Sequence, residues 1–82
     1  MTIEKIMTII RELAANNIRY SLDFTGQSQQ FYLFIVCRTP ELFQTAYDIA
    51  SIVDYSCVKA KEDEFTLECE NGCIKFEKWW VA

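Results

Sequence analysis

Residues 30–38, QFYLFIVCR, decide the fold, because they form a run typical of a β-strand that is apolar on both of its faces. Alternation along a strand gives one face Phe31, Leu33, Ile35 and Cys37. The other face carries Tyr32, Phe34 and Val36. The first face predicts a contribution to the hydrophobic core. The second face must either lie beneath a helix or form an exposed apolar patch.

The segment before this strand predicts an amphipathic helix over residues 2–15 and a strand over residues 18–24. In the helix, apolar residues recur at steps of three and four and form one stripe: Ile3, Ile6, Met7, Ile10, Leu13 and Ala14. The strand IRYSLDF alternates apolar and polar residues, so one of its faces should be solvated. A polar loop over residues 25–30 would join the two strands into a hairpin.

The segment after this strand begins with a second helix. Thr39 is suited to cap its N-terminus, Pro40 to occupy its first position, and the apolar stripe predicts an end near Asp54. Three strands should follow, the first over residues 55–61, with a turn at Glu62-Asp63. Asn71-Gly72 suits a two-residue type I′ turn between the last two strands.

That turn predicts a register in which Lys75 lies opposite Glu68. The apolar face of the last two strands would carry Phe65, Leu67, Cys69, Ile74, Phe76 and Trp80. The charged face would carry Glu64, Thr66, Glu68, Glu70, Cys73, Lys75, Glu77 and Trp79. The whole chain therefore predicts a single α+β domain over residues 1–82, with two helices packed on an antiparallel sheet in the order α-β-β-α-β-β-β.

Composition excludes several classes of function. The chain has 82 residues and a formal net charge of −4, which disfavours direct binding to nucleic acid. Charged residues interrupt the N-terminal apolar run, and no run reaches the roughly 20 apolar residues of a membrane span. We therefore expect a cytoplasmic protein that binds no membrane and keeps its cysteines reduced.

The four cysteines do not predict a cofactor. Zinc sites usually contain two close pairs of ligands, and the predicted register turns Cys69 and Cys73 to opposite faces. Cys57 and Cys73 share a face but lie two strands apart, too far for a disulfide. No histidine is present to activate a cysteine or serine nucleophile. We expect no enzyme activity, no metal and no cofactor, and a cysteine-based metal or redox site is the weakest hypothesis.

Two features indicate a binding surface: aromatic residues on the second face of the opening strand, and acidic residues on the charged face. The candidate partner-binding residues are Tyr32, Phe34, Val36, Glu68, Glu70, Glu77 and Trp79. They favour a non-enzymatic module that docks on a larger, basic or nucleic-acid-binding protein. Small phage-encoded inhibitors, anti-CRISPR proteins among them, share this profile of size, charge and missing catalytic residues. The alternative is a structural or adaptor homodimer that uses Tyr32 and Phe34.

Overall fold

The chain forms two helices and one five-stranded sheet in a computed structural model that describes residues 3–25, 27 and 30–80. The elements are α1 (Ile3–Ala15), β1 (Arg19–Thr25), β2 (Gln30–Cys37), α2 (Pro40–Ala50), β3 (Tyr55–Ala60), β4 (Glu64–Cys69) and β5 (Gly72–Lys78). The predicted α+β class and element order are confirmed. Parts of the predicted first helix and of the 25–30 loop lie outside the described residues. Within those residues, neither helix is long and apolar enough to cross a membrane.

The strands lie in the order β1-β2-β5-β4-β3. The prediction of a wholly antiparallel sheet is wrong for one pair, because β2 and β5 run parallel while the other three pairs are antiparallel. This order places the two strands with the most completely buried side chains at the centre of the sheet. Ile35, Ile74 and Phe76 are each fully buried there. An order that followed the chain would place β5 at an edge and expose this apolar surface.

The helix α1 packs on the sheet through Ile6, Ile9 and Leu13. The predicted stripe omitted Ile9, which is fully buried, and included Ile3 and Met7, which are exposed. The reason is the neighbouring helix α2. The α2 side of α1 carries Lys5, which pairs with Asp54 at 3.7 Å, together with Thr8 and Glu12 in the groove between the helices. The flank with Ile3 and Met7 is consequently turned away from α2.

The helix α2 begins as predicted and ends earlier. Thr39 has an extended backbone, and its hydroxyl oxygen accepts a hydrogen bond of 3.1 Å from the amide of Leu42, as an N-cap should. The helix stops at Ala50 rather than near Asp54. Ser51 ends it, because both its amide and its hydroxyl donate to the carbonyl of Asp48 in a tightened last turn. Val53 nevertheless remains buried.

The β4–β5 turn begins one residue earlier than predicted, and the pairing of the two strands is shifted by two residues. The loop is Glu70-Asn71, and Gly72 is the first residue of β5, opposite Cys69. A shift of two residues keeps every side chain on its predicted face, but Lys75 now lies opposite Thr66 instead of Glu68. The predicted turn at Glu62-Asp63 is confirmed, since the amide of Lys61 donates to the carbonyl of Glu64 at 2.8 Å.

Gly72 explains this register. Its φ of +156° is one that residues with a side chain rarely adopt. A Cβ atom at this position would overlap the carbonyl oxygen of Phe31 on the adjacent strand β2. The neighbouring Asn71 accepts a hydrogen bond of 2.9 Å at its carbonyl from the amide of Phe31. The parallel β2–β5 pair therefore requires glycine at this point, and the glycine is not free to occupy the turn.

Candidate binding face of the sheet

Both helices pack on the same face of the sheet, and their buried residues share one core with the inward side chains of β2, β4 and β5. We call the opposite side the outer sheet face. No helix or strand of the described residues covers the outer sheet face. Of the two possibilities for the second face of β2, a covering helix or an exposed patch, the described residues show the exposed patch. Tyr32, Phe34 and Val36 consequently border solvent. Tyr32 is 38% exposed, and the other two are half-buried by their neighbours on the sheet.

The side chains beside these three residues come from β5 and β1. The parallel register places Cys73, Lys75 and Glu77 next to Tyr32, Phe34 and Val36, respectively. The ammonium nitrogen of Lys75 lies 5.8 Å from the centre of the Phe34 ring, within reach of a cation–π contact. On the other side, Arg19 of β1 is the register partner of Val36. Sequence reasoning did not assign Arg19 to this surface, although pairing the two strands of the hairpin would have indicated it.

Trp79 extends this surface beyond the end of β5. Its amide donates a hydrogen bond of 2.7 Å to the carbonyl of Cys37, which keeps the chain beside β2 for one more residue. Its indole Nε1 donates to Oε2 of Glu77 at 2.9 Å, and 57% of the residue is exposed. Trp80 turns to the helix side, where its ring lies 6.1 Å from that of Phe43. We call Tyr32, Phe34, Val36 and Trp79 the aromatic ridge.

The predicted acidic residues are not brought together. Glu77 adjoins the aromatic ridge and makes no ion pair with any cationic side chain of the described residues. Glu68 lies on β4, separated from Tyr32 by Cys73, and pairs with Lys59 at 2.9 Å. Their hydrogen bond raises the pKa of Lys59. Glu70 lies in the β4–β5 turn, at the opposite end of the sheet from Trp79.

The outer sheet face therefore has no continuous row of negative charge. Glu64 lies 3.4 Å from both Lys61 and Lys75. Partial burial alone would raise the pKa of Glu64, but its interactions with the two lysines lower it. Ion pairs thus offset Glu64 and Glu68. Two carboxylates beside the ridge make no ion pair with the described residues and are available to a partner: Glu77, next to Val36, and Asp23 of β1, the register partner of Tyr32.

The four cysteines lie in three different places: the core, the helix side of the sheet and the outer sheet face. Cys37 is in the core, where burial raises its pKa to about 11. Cys69 points to the helix side of the sheet. Cys57 and Cys73 lie on the outer sheet face, where Glu68 of β4 has Cys57 of β3 on one side and Cys73 of β5 on the other. All four are free thiols. In the described part of the chain, no three residues with Cys, Asp or Glu side chains are grouped to hold a metal ion.

Comparison with protein-family models, with curated proteins and with solved structures gives no match to this chain.

Proposed function

We propose that the chain is a non-enzymatic, cytoplasmic protein-binding module, and that its outer sheet face docks on a larger, basic, nucleic-acid-binding protein. One observation carries the proposal: an uncovered sheet face presents the aromatic ridge, and at one end of it exposed Trp79 lies beside Glu77, a carboxylate without a cationic partner among the described residues. Exposed tryptophan and tyrosine are the side chains that most often dominate binding energy at protein interfaces.

The chemistry of this surface favours an arginine-bearing partner. A guanidinium group can stack on the exposed face of the Trp79 indole and donate to the oxygen of Glu77 that the indole does not engage. Such a contact uses the aromatic ring and the carboxylate together, which a lysine could do only in part. The net charge of −4 adds a long-range attraction that would speed encounter with a basic partner.

Docking of this kind would make the chain an inhibitor. The basic surfaces of nucleic-acid-binding proteins normally contact phosphate groups, so an acidic module that occupies such a surface competes with the nucleic acid. Ion pairs occupy Glu64 and Glu68, so the chain does not imitate the regular charge of a nucleic-acid backbone. Competition would arise because the module covers the site. The small phage-encoded inhibitors of nucleic-acid-handling defence systems, anti-CRISPR proteins included, have the same combination of size and charge.

A second candidate is a homodimer that packs two outer sheet faces against each other. Arg19 and Glu77 flank Val36 on opposite sides. A two-fold axis along β2 would therefore place Arg19 of each copy over Glu77 of the other, which favours self-association. In that arrangement the aromatic ridge is buried by the protein itself, and no partner can reach it.

The proposal is tested by using the immobilised chain to capture a partner from an extract of the source cells. Variants of the aromatic ridge show whether the partner binds to that surface. The chain and its variants Trp79→Ala and Phe34→Glu are immobilised in parallel. Tyr55→Ala serves as the matched control, because Tyr55 is a comparably exposed aromatic residue away from the outer sheet face. We expect a basic protein that the chain and the Tyr55 variant retain and that both ridge variants lose.

The captured protein is then titrated with the chain while it holds labelled nucleic acid. We expect the nucleic acid to be released in proportion to the chain bound. Retention of the partner by both ridge variants would contradict the proposed surface. Unchanged binding of nucleic acid at saturating chain would contradict the inhibitory function.

A further inference from the structure

The free edge of β1 carries two charged residues, Arg19 and Asp23, but lacks the bulge, proline and lysine that often prevent strand addition. β1 pairs with β2 along all seven of its residues without a bulge, and its other edge has no neighbour among the described residues. Its sequence, RYSLDFT, contains no proline, glycine or lysine. Long, regular edge strands of this kind are templates for pairing with another strand.

The opposite edge strand, β3, is protected. Its pairing with β4 shifts register between Tyr55 and Cys57, which marks an irregularity of the kind that turns an edge away from neighbours. Lys59 points from this strand to the outer sheet face and pairs with Glu68. A lysine on an edge strand opposes strand addition, because its charge would have to be desolvated. The two edges of the sheet are therefore not equivalent.

Exposed apolar side chains accompany the free edge of β1 on the helix side of the sheet. Tyr20 and Phe24 are 36% and 44% exposed. The helix α1 contacts β1, and the flank of α1 that is turned away from α2 exposes Ile3 and Met7. An open backbone edge and an apolar margin thus occur on the same side of the molecule. A strand added to β1 would form hydrogen bonds with the open backbone edge and would cover the exposed apolar side chains beside it.

The sequence of β1 complements itself. In an antiparallel pair of two β1 strands centred on Leu22, Tyr20 of one copy lies opposite Phe24 of the other, and no like charges are directly opposed. On the outer sheet face Asp23 of one copy has two diagonal neighbours in the other, Arg19 and Asp23, so two Arg19–Asp23 attractions oppose a single Asp23–Asp23 repulsion. The Tyr20–Phe24 contact also occurs twice because of the two-fold symmetry. We infer that the occupant of the β1 edge is a second copy of this chain.

This dimer has a consequence for binding. Pairing through β1 joins two five-stranded sheets into one continuous sheet of ten strands, with a two-fold axis perpendicular to it. Both outer sheet faces then lie on the same side, and both aromatic ridges remain uncovered. A partner with two equivalent sites would be held by both ridges at once, which increases the overall affinity without any new type of contact. The inference uses a different surface from the proposed function and does not depend on it.

A charge exchange across the proposed interface tests the inference. Light scattering is used to measure the solution mass of the chain, of Arg19→Asp, of Asp23→Arg and of the double variant, from micromolar to near-millimolar concentration. We expect the chain to have the mass of a dimer and each single variant to dissociate about 10- to 30-fold more readily. The double variant should regain the original affinity, and a mixture of the two single variants should form a heterodimer.

Two further variants complete the test. Arg38→Asp changes charge in the same way at an exposed site beyond the end of β2, and it should leave the dimer unaffected. Phe34→Glu should likewise leave it unaffected, because Phe34 lies on the outer sheet face. A monomer at every concentration would overturn the inference. A dimer broken by Phe34→Glu but not rescued by the charge exchange would also overturn it, since the aromatic ridge would then be the interface.

Discussion

Replacement of Gly72 by alanine should destabilise the protein severely, because two independent costs arise at one position. The added methyl group would overlap the carbonyl oxygen of Phe31 and would lie 2.8 Å from its carbonyl carbon, both of which are backbone atoms in the central β2–β5 pair. Overpacking of this kind costs about 1–3 kcal/mol. The φ of +156° adds about 1–3 kcal/mol of backbone strain for a residue with a side chain.

The net loss should be about 1–5 kcal/mol, because alanine also restricts the unfolded chain and recovers about 0.4–1 kcal/mol. A domain of this length has a total free energy of unfolding of about 4–12 kcal/mol. The variant should therefore be marginally folded. Urea unfolding followed by circular dichroism measures the difference, with extrapolation to zero denaturant at a constant slope.

The control for this experiment is Asn71→Ala, one residue earlier. Asn71 has no positive φ, and its contact with Phe31 is made by its backbone carbonyl, so removal of its side chain should cost less than about 1 kcal/mol. Equal stabilities of the Gly72 and Asn71 variants would refute the reasoning. They would show that Gly72 lies in the turn and that the register of β5 against β2 and β4 is different.

Three further predictions follow from single contacts. Thr39→Ala removes the N-cap of α2 and should lower the free energy of unfolding by about 1 kcal/mol in urea titrations, whereas Thr39→Ser should be nearly neutral. Because Cys37 is buried and its pKa is raised to about 11, iodoacetamide should modify exposed Cys57 first and Cys37 last, as followed by mass spectrometry; early modification of Cys37 would contradict its place in the core. The pKa of Glu64 is lowered in the folded chain, so its contribution to stability is present above its ordinary pKa of 4.5 and disappears as the pH falls through the folded value. Glu64→Gln should accordingly make unfolding less dependent on pH in acid, and an unchanged profile would show that Lys75 and Lys61 do not hold this carboxylate.

The periodic features of the fold could be predicted from the sequence, and those that depend on distant contacts could not. Alternation correctly assigned the faces of β2, β4 and β5, because a face depends only on local geometry. It fails at Tyr55, where the irregularity before Cys57 turns the side chain to the helix side. The position of β5 between β2 and β4 depends instead on burial shared by segments far apart in the chain. The Asn-Gly signal was misleading for the same reason, since Gly72 is required by its contact with Phe31 on β2.

The candidate binding surface was predicted in part. Tyr32, Phe34 and Val36 share the outer sheet face as the alternation of β2 indicated, and Trp79 joins them. The position of Trp79 beside β2 could not have been derived from the sequence, because it follows from the parallel pairing of β5 with β2. The same pairing places Glu70 at the opposite end of the sheet from Trp79.

The burial of Trp79 is the most direct test of the claim that the outer sheet face is open in the free chain and covered by a partner. Trp80→Phe leaves Trp79 as the single tryptophan, and Trp79→Phe provides the matched reporter at Trp80. We predict that acrylamide quenches the fluorescence of Trp79 several-fold more efficiently than that of half-buried Trp80, and that the captured partner abolishes this difference. Trp79 that is shielded in the free chain at every concentration, or that stays exposed in the complex, would contradict the account.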